Sequence, residues 1–215
     1  TMTTTPITVL IIDDHPLFRK GLADLISMDE SLQLIGQACS GEDGLEQANT
    51  LKPNLILLDL NMKGMDGLAT LAALKQTDLE SYIVMLTVSD NEQDVTDALR
   101  SGADGYLLKD MEPEEVLASV QLAASGRLAI TDSLTELLAR ALRKEGKPKT
   151  PNEAGLTARE QEILNLIASG MSNKQVAREL DITEGTIKVH VKHLLKKLNL
   201  RTRLEAAVWS TQQSK

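Results

Sequence analysis

Ile7-Thr-Val-Leu-Ile-Ile-Asp-Asp14 is the stretch that decides the fold: six residues, mostly apolar and β-branched, run straight into two carboxylates. A short apolar run without polar alternation suits a strand buried on both faces, as in a parallel sheet. Similar runs recur at Leu32–Ile35, Leu55–Leu58, Ile83–Leu86 and Tyr106–Leu108. Between them, Leu17–Ile26, Leu68–Leu74 and Val95–Leu99 carry helical spacing. Five strands alternating with helices predict a doubly wound α/β domain, with a parallel sheet and helices on both faces. Pro113, followed by Glu114 and Glu115, opens a fifth helix that ends at Gly126. Proline suits a first helical turn, and acids suit its positive end.

In open parallel sheets ligands bind outside the carboxyl ends of the strands. Here the first strand ends in Asp13 and Asp14, the third in Asp59, the fourth in Thr87 and the fifth in Lys109. Taken singly, each has an ordinary reading. An aspartate after a strand commonly caps a helix, and Asp14 stands where it could cap the helix opening near Pro16. Taken together, five such residues on one edge form a site. Carboxylates ~4 Å apart at an effective dielectric of ~20 repel by about 4 kcal/mol per pair. A hard cation that prefers oxygen, Mg²⁺, relieves that repulsion. An aspartate beside Mg²⁺ and a lysine is well placed to take a phosphoryl group, whose equatorial oxygens the two cations neutralise. The phosphoryl oxygens would then draw in the Thr87 hydroxyl. Acyl phosphates hydrolyse readily, so the mark is reversible.

The chain has 215 residues, 42% apolar and 25% charged, enough for a sizeable core in one large or two modest domains. Its net charge of −8 is unevenly spread. Residues 1–149 carry 13 Lys and Arg against 24 Asp and Glu, and residues 150–215 carry 10 against 7, giving −11 and +3. Such asymmetry predicts that the basic part meets a polyanion. A lone cysteine, Cys39, excludes an internal disulfide and fits a reducing compartment. No leader pattern and no apolar run near ~18 residues is present, which predicts a cytoplasmic protein without membrane insertion. Neither a phosphate-cradling glycine loop, a zinc-ligand cluster nor a Ser/His/Asp set supports an enzyme. Leu134, Leu137, Leu138, Ala141 and Leu142 make a helical stripe that must pack on something. The stretch 144–155, with Gly146, Pro148, Pro151 and Gly155, reads as a linker. The predicted domains are therefore 7–126, a linker helix and flexible linker over 127–155, and 156–212.

Within the last of these, Thr157…Glu160, Ser172…Gln175 and Thr202…Glu205 are capping-box pairs, and Thr183 is a plainer N-cap. Gly170 and Asp181 punctuate the turns. Four short helices with tight connections predict an all-α helix-turn-helix domain. Ile187, Val191, Leu194 and Leu198, spaced 4, 3 and 4 apart, form a core-facing stripe. Lys188, Val189, Lys192 and Lys196 fall opposite, with Gly185 near the N-terminus. That side is either a solvated basic face or a surface laid N-terminus first in the major groove. In the second case lysines meet guanine edges or phosphates, and Val189 meets thymine methyls. Aromatics at 2% disfavour stacking on single strands. Trp209, with Leu204, Ala207 and Val208, packs in the core or shares a dimer interface.

Residues 7–126 resemble a CheY-like receiver domain. The match lies in Asp13-Asp14, Leu57-Leu-Asp-Leu-Asn-Met, Thr87, and Ala103-Asp-Gly-Tyr-Leu-Leu ahead of Lys109. The resemblance implies a flavodoxin-like sheet of order 2-1-3-4-5, with Asp59 as phosphoacceptor from a sensor histidine kinase. Mg²⁺ would be held by Asp14, Asp59 and the Asn61 carbonyl, with Asp13 acting through water. Tyr106 would follow Thr87 inward as a switch; otherwise it is a strand aromatic packing on a helix. Two departures stand out: Lys63 replaces the proline usual after Asn-Met, and Asp110 follows Lys109 where many receivers have proline.

Residues 156–212 resemble the LuxR-type domain through Leu156-Thr-Ala-Arg-Glu, Ser172-Asn-Lys-Gln-Val-Ala and Thr186-Ile-Lys-Val-His-Val-Lys-His. A receiver joined to this domain is the NarL/FixJ class. Val189-His-Val-Lys-His-Leu-Leu-Lys-Lys and Gly105-Tyr-Leu-Leu-Lys-Asp-Met-Glu-Pro are similar to bacterial nitrate/nitrite response regulators. This implies a transcription regulator of nitrate- and nitrite-responsive anaerobic respiration, not an enzyme beyond promoting its own dephosphorylation. It also implies a homodimer, formed on phosphorylation, that binds inverted half-sites in double-stranded DNA. Base contacts would come from Lys188, Val189 and Lys192, while His190 and His193 are phosphate contacts or plain surface. The charge split predicts that the unphosphorylated receiver covers the Lys188–Lys196 face. The alternatives are a constitutive DNA binder that bears a receiver, and a LuxR-type regulator not controlled by phosphorylation. A phosphohydrolase using Asp59 would need a second aspartate where Asn61 stands.

Overall fold

The computed structural model describes residues 5–89, 91–127, 130–145 and 150–213. The chain divides into two compact units, Thr1–Ala124 and Ser125–Lys215. Among the described residues, no helix is long and apolar enough to cross a membrane.

In the first unit the apolar runs become β1 (Ile7–Ile12), β2 (Leu32–Ala38), β3 (Leu55–Asp59), β4 (Tyr82–Thr87) and β5 (Gly105–Leu108). They alternate with α1 (Pro16–Ser27), α2 (Gly41–Leu51), α3 (Gly67–Lys75), α4 (Glu92–Arg100) and α5 (Pro113–Ala124). The strands lie in the order β2-β1-β3-β4-β5, every pairing parallel. Central strands of such a sheet are covered on both faces and therefore carry apolar side chains without alternation. Accordingly Val9–Ile12 and Leu55–Leu58 are entirely buried. α1 packs beside α5, while α3 packs against both α2 and α4. The order reverses between β1 and β3, and this opens a crevice at their carboxyl ends.

β2 runs three residues past the apolar stretch, through Gly36, Gln37 and Ala38, and keeps its pairing with β1 despite a register shift between Val9 and Leu10. Gly67 opens α3 hard against the end of β3, and its N–H donates to the Leu60 carbonyl at 2.9 Å. A Cβ there would stand 2.3 Å from the Asp59 carbonyl oxygen, so only glycine admits the approach. Gly64 holds φ +73° in the β3–α3 loop, the left-handed turn that glycine takes without strain.

The second unit holds α6 (Asp132–Lys144), α7 (Pro151–Ala154), α8 (Ala158–Ala168), α9 (Asn173–Leu180), α10 (Glu184–Leu198) and α11 (Arg203–Gln212). The division of the chain precedes α6, whereas composition pointed to the stretch after it. Packing explains the difference: the Leu134, Leu138 and Leu142 stripe is buried and α6 lies on α11. Inside the predicted linker, Pro151–Ala154 forms a short helix capped by the Thr150 hydroxyl, while 146–149 lie outside the described residues. α8 contacts α10 and α11, and α9 contacts α10. Ser172 and Gln175 close a capping box in both directions, and the hydroxyls of Thr157, Thr183 and Thr202 accept the N–H three residues on. Asp181 turns the chain from α9 to α10 with φ +53°, and Gly170 ends α8 with φ +95°. Eight consecutive residues of α11, Arg203–Ser210, are buried.

Candidate functional site

At the carboxyl edge of the sheet the backbone brings Asp13, Asp14, Asp59, Thr87 and Lys109 together. Asp13, Asp59 and Thr87 are buried, and Lys109 keeps only 7% of its side chain exposed. The Lys109 ammonium donates to Asp13 Oδ2 at 2.7 Å and lies 3.2 Å from Asp59 Oδ1. It also sits 4.4 Å above the Phe18 ring centroid, a second source of stabilisation for a nearly dry cation. One ammonium does not balance three carboxylates. Burial pushes the Asp59 carboxyl above its ordinary value, the neighbouring Asp13 charge pushes it further, and Lys109 offsets part of both. Asp59 Oδ2 and Asp14 Oδ1 are buried with no hydrogen-bond partner. Orphaned carboxylate oxygens facing one point are what an oxygen-preferring divalent cation satisfies, so the donor set fits Mg²⁺.

Asp14 is not the cap of α1. The N-cap position is His15, without a side-chain cap bond, and Asp14 Oδ2 instead accepts the Lys63 backbone N–H at 3.0 Å. That bond ties the β3–α3 loop to the end of β1. Lys63, for which a proline would have no N–H to offer, therefore contributes through its backbone. Among the described residues no cis peptide bond occurs, at Asp110 or elsewhere. Asn61 directs its backbone N–H to Asp59 Oδ1 at 3.4 Å and its side-chain amide to Thr87 Oγ1 at 3.2 Å. The Ser89 N–H also donates to that hydroxyl, at 3.0 Å. Tyr106 is fully buried, and its phenol donates to the Ser89 carbonyl at 3.1 Å. Thr87, Ser89 and Tyr106 thus form one connected chain leading away from Asp59.

His15 belongs to the site, and the strand-end reasoning missed it. Its Nδ1 lies 3.0 Å from Asp13 Oδ1, 3.2 Å from Asp14 Oδ1 and 3.3 Å from Asp59 Oδ2. The available signal was its place in Asp13-Asp14-His15-Pro16, where a helix entry turns the ring back over two carboxylates.

In the second unit, α10 buries Ile187, Val191, Leu194 and Leu198, and presents Lys188, Val189, Lys192, His193 and Lys196 to solvent, with His190 half-buried. Val189 is 53% exposed, so its side chain is available for an apolar contact outside the domain. Lys197 points elsewhere: it donates to Glu160 Oε1 at 2.7 Å and joins α10 to α8. Burial raises the Glu160 carboxyl, but the bonds from Lys197 and Thr157 outweigh it and hold it below its ordinary value.

The two units match two family models. Residues 9–121 match the response regulator receiver domain, and residues 154–210 match the bacterial regulatory proteins of the luxR family. The chain belongs to the response regulators that carry a receiver and a LuxR-type DNA-binding domain, a family of transcription regulators. Among its relatives, it is 52% identical to the nitrate/nitrite response regulator protein NarL of Escherichia coli K12, over 97% of this chain and 96% of that one. It is 43% identical to the nitrate/nitrite response regulator protein NarP of the same strain, over 97% and 96%. Among solved structures, the response regulator ChrA of a heme-sensing two-component system aligns with TM-score 0.53 at 31% identity, covering 98% of this chain and 99% of that one.

Proposed function

We propose that Asp59 accepts a phosphoryl group from a sensor histidine kinase, and that the phosphorylated protein dimerises on inverted DNA half-sites. It would act in the cytoplasm on genes of anaerobic respiration that respond to nitrate and nitrite. The observation that carries this reading is the state of Asp59: buried, with one oxygen orphaned and the other beside the Lys109 ammonium. An Asp59 oxygen attacks phosphorus as the phosphorus–nitrogen bond to the kinase histidine breaks, leaving an acyl phosphate and a free imidazole. Asp14, Asp59 and the Asn61 carbonyl would hold Mg²⁺, with Asp13 acting through water. When bound, the cation neutralises charge developing on the phosphoryl oxygens. Lys109 neutralises the same charge from the side of β5. The Thr87 hydroxyl, now accepting from Asn61 and Ser89, is freed to donate to a phosphoryl oxygen, and Tyr106 follows through Ser89.

On the DNA side, Lys188, Val189 and Lys192 would read base edges in the major groove. Lys196, with His190 and His193, would contact phosphates. The relatives named for nitrate and nitrite support the choice of genes. Operator affinity measured at fixed salt, with and without acetyl phosphate and Mg²⁺, tests the coupling. Wild type gains affinity and Asp59→Ala does not. Equal affinity throughout, with DNA still bound, means a constitutive binder and overturns the proposal.

A further inference from the structure

His15 has more polar neighbours than its ring can hydrogen-bond. Three carboxylate oxygens from three different aspartates lie 3.0, 3.2 and 3.3 Å from its Nδ1, and the Lys109 ammonium lies 3.4 Å from the same nitrogen. A single ring N–H is donated along one in-plane direction and cannot serve three acceptors. The geometry bears this out: the contact with Asp13 has hydrogen-bond geometry, while Asp14 Oδ1 and Asp59 Oδ2 remain without a partner although they face the same nitrogen. Asp59 is 2% exposed, so its unpartnered oxygen has no recourse to bulk water. One ion can serve the ring nitrogen and the two orphaned oxygens, with Asp13 reached through water as above. Neighbouring donors around an octahedral ion with bonds of ~2.1 Å lie about 3.0 Å apart, close to the 3.2 and 3.3 Å that separate Nδ1 from the two orphaned oxygens.

We infer that His15 supplies a nitrogen ligand to this receiver's cation site, making it a mixed nitrogen–oxygen site that takes Co²⁺ and Ni²⁺ as well as Mg²⁺. The inference rests on the cation-site reading above. Imidazole raises affinity along the first-row series, whereas Mg²⁺ stays with oxygen and water. His15 is thereby a specificity-determining residue. It leaves Mg²⁺ binding to the carboxylates and sets how well transition ions compete for the same place. Its ring is 59% exposed and makes no cap bond to α1, so removing it leaves the helix entry at Pro16 intact.

The test uses the full chain with His190→Gln and His193→Gln, which leaves His15 as its single histidine. Ni²⁺ and Mg²⁺ affinities are measured by calorimetry in this background, with and without His15→Ala. Bound Co²⁺ is followed by proton NMR, because a ligated imidazole shows a strongly shifted ring N–H. Outer-shell partners of a metal are worth ~10–100-fold, so loss of a direct donor weakens Ni²⁺ at least about tenfold. Mg²⁺ changes by less than about twofold, and one shifted N–H appears that His15→Ala abolishes. Equal effects on both ions, or no shifted resonance, overturn the ligand role. Tighter Mg²⁺ binding in His15→Ala also overturns it and makes the ring a plug instead. If the background protein binds no divalent ion, or Asp13→Asn with Asp59→Asn leaves binding unchanged, the cation-site reading itself fails.

Discussion

In the role proposed for it, Asp59 must be buried to be positioned, yet must keep its negative charge to act as a nucleophile. Without a divalent cation the ionised side chain opposes folding, since one ammonium faces several carboxylates. Asp59→Asn is therefore expected to raise the receiver's stability in chelator, seen as a higher urea midpoint, with Lys109 still paired to Asp13. Excess Mg²⁺ narrows the gap, because it stabilises the wild type alone. The pH dependence has a definite sign. A carboxyl raised above its ordinary 3.8 loses native stability as pH climbs from that value through the raised one, and the Asn variant lacks this slope. The carboxylates, Thr87 and Lys109 were legible because strand ends in a parallel sheet share an edge. His15 was not. Its place depends on how the chain turns from β1 into Pro16, which no periodicity records.

The elements of the second unit pack on an apolar core, and caps and a few buried polar bonds set where each begins and how they join. Ser172→Ala, which breaks the closed capping box of α9, is expected to cost about 1 kcal/mol in thermal or urea unfolding. Glu160 adds an acid-sensitive join between α8 and α10. Its carboxyl lies below the ordinary 4.5, so its stabilisation holds above that value and is lost as pH falls through the lowered one. Glu160→Gln is accordingly less stable near neutrality and shows a shallower acid loss, as circular dichroism along a pH series would record. Strand cores and helix starts could be read directly from apolar runs and hydroxyl caps. β2 outran its apolar stretch because an edge strand needs only ladder hydrogen bonds to continue, and Gly36 and Gln37 supply those without apolar side chains. The stripe of α6 announced that it must pack, but not that α11 would receive it.

Across the whole molecule the separation of charge is the most consequential property, because DNA affinity depends on how many phosphates are neutralised. Lys196→Ala is expected to weaken binding evenly across sequences and to lower the log-affinity against log-salt slope by about 1. Lys188→Ala instead relaxes preference at one base pair, at about 1–3 kcal/mol. Filter binding of operator and scrambled DNA at several salt concentrations separates the two. Equal losses on both DNAs for Lys188→Ala would remove it from base reading. α11 carries a further consequence. Trp209 is the chain's single tryptophan and is 3% exposed there. Its emission is an intrinsic lamp for the second unit, and the receiver is dark at tryptophan's wavelengths. On the proposed reading, a flicker on adding acetyl phosphate that Asp59→Ala lacks reports phosphorylation of the receiver, so a stopped-flow trace would time the signal's passage with no dye attached.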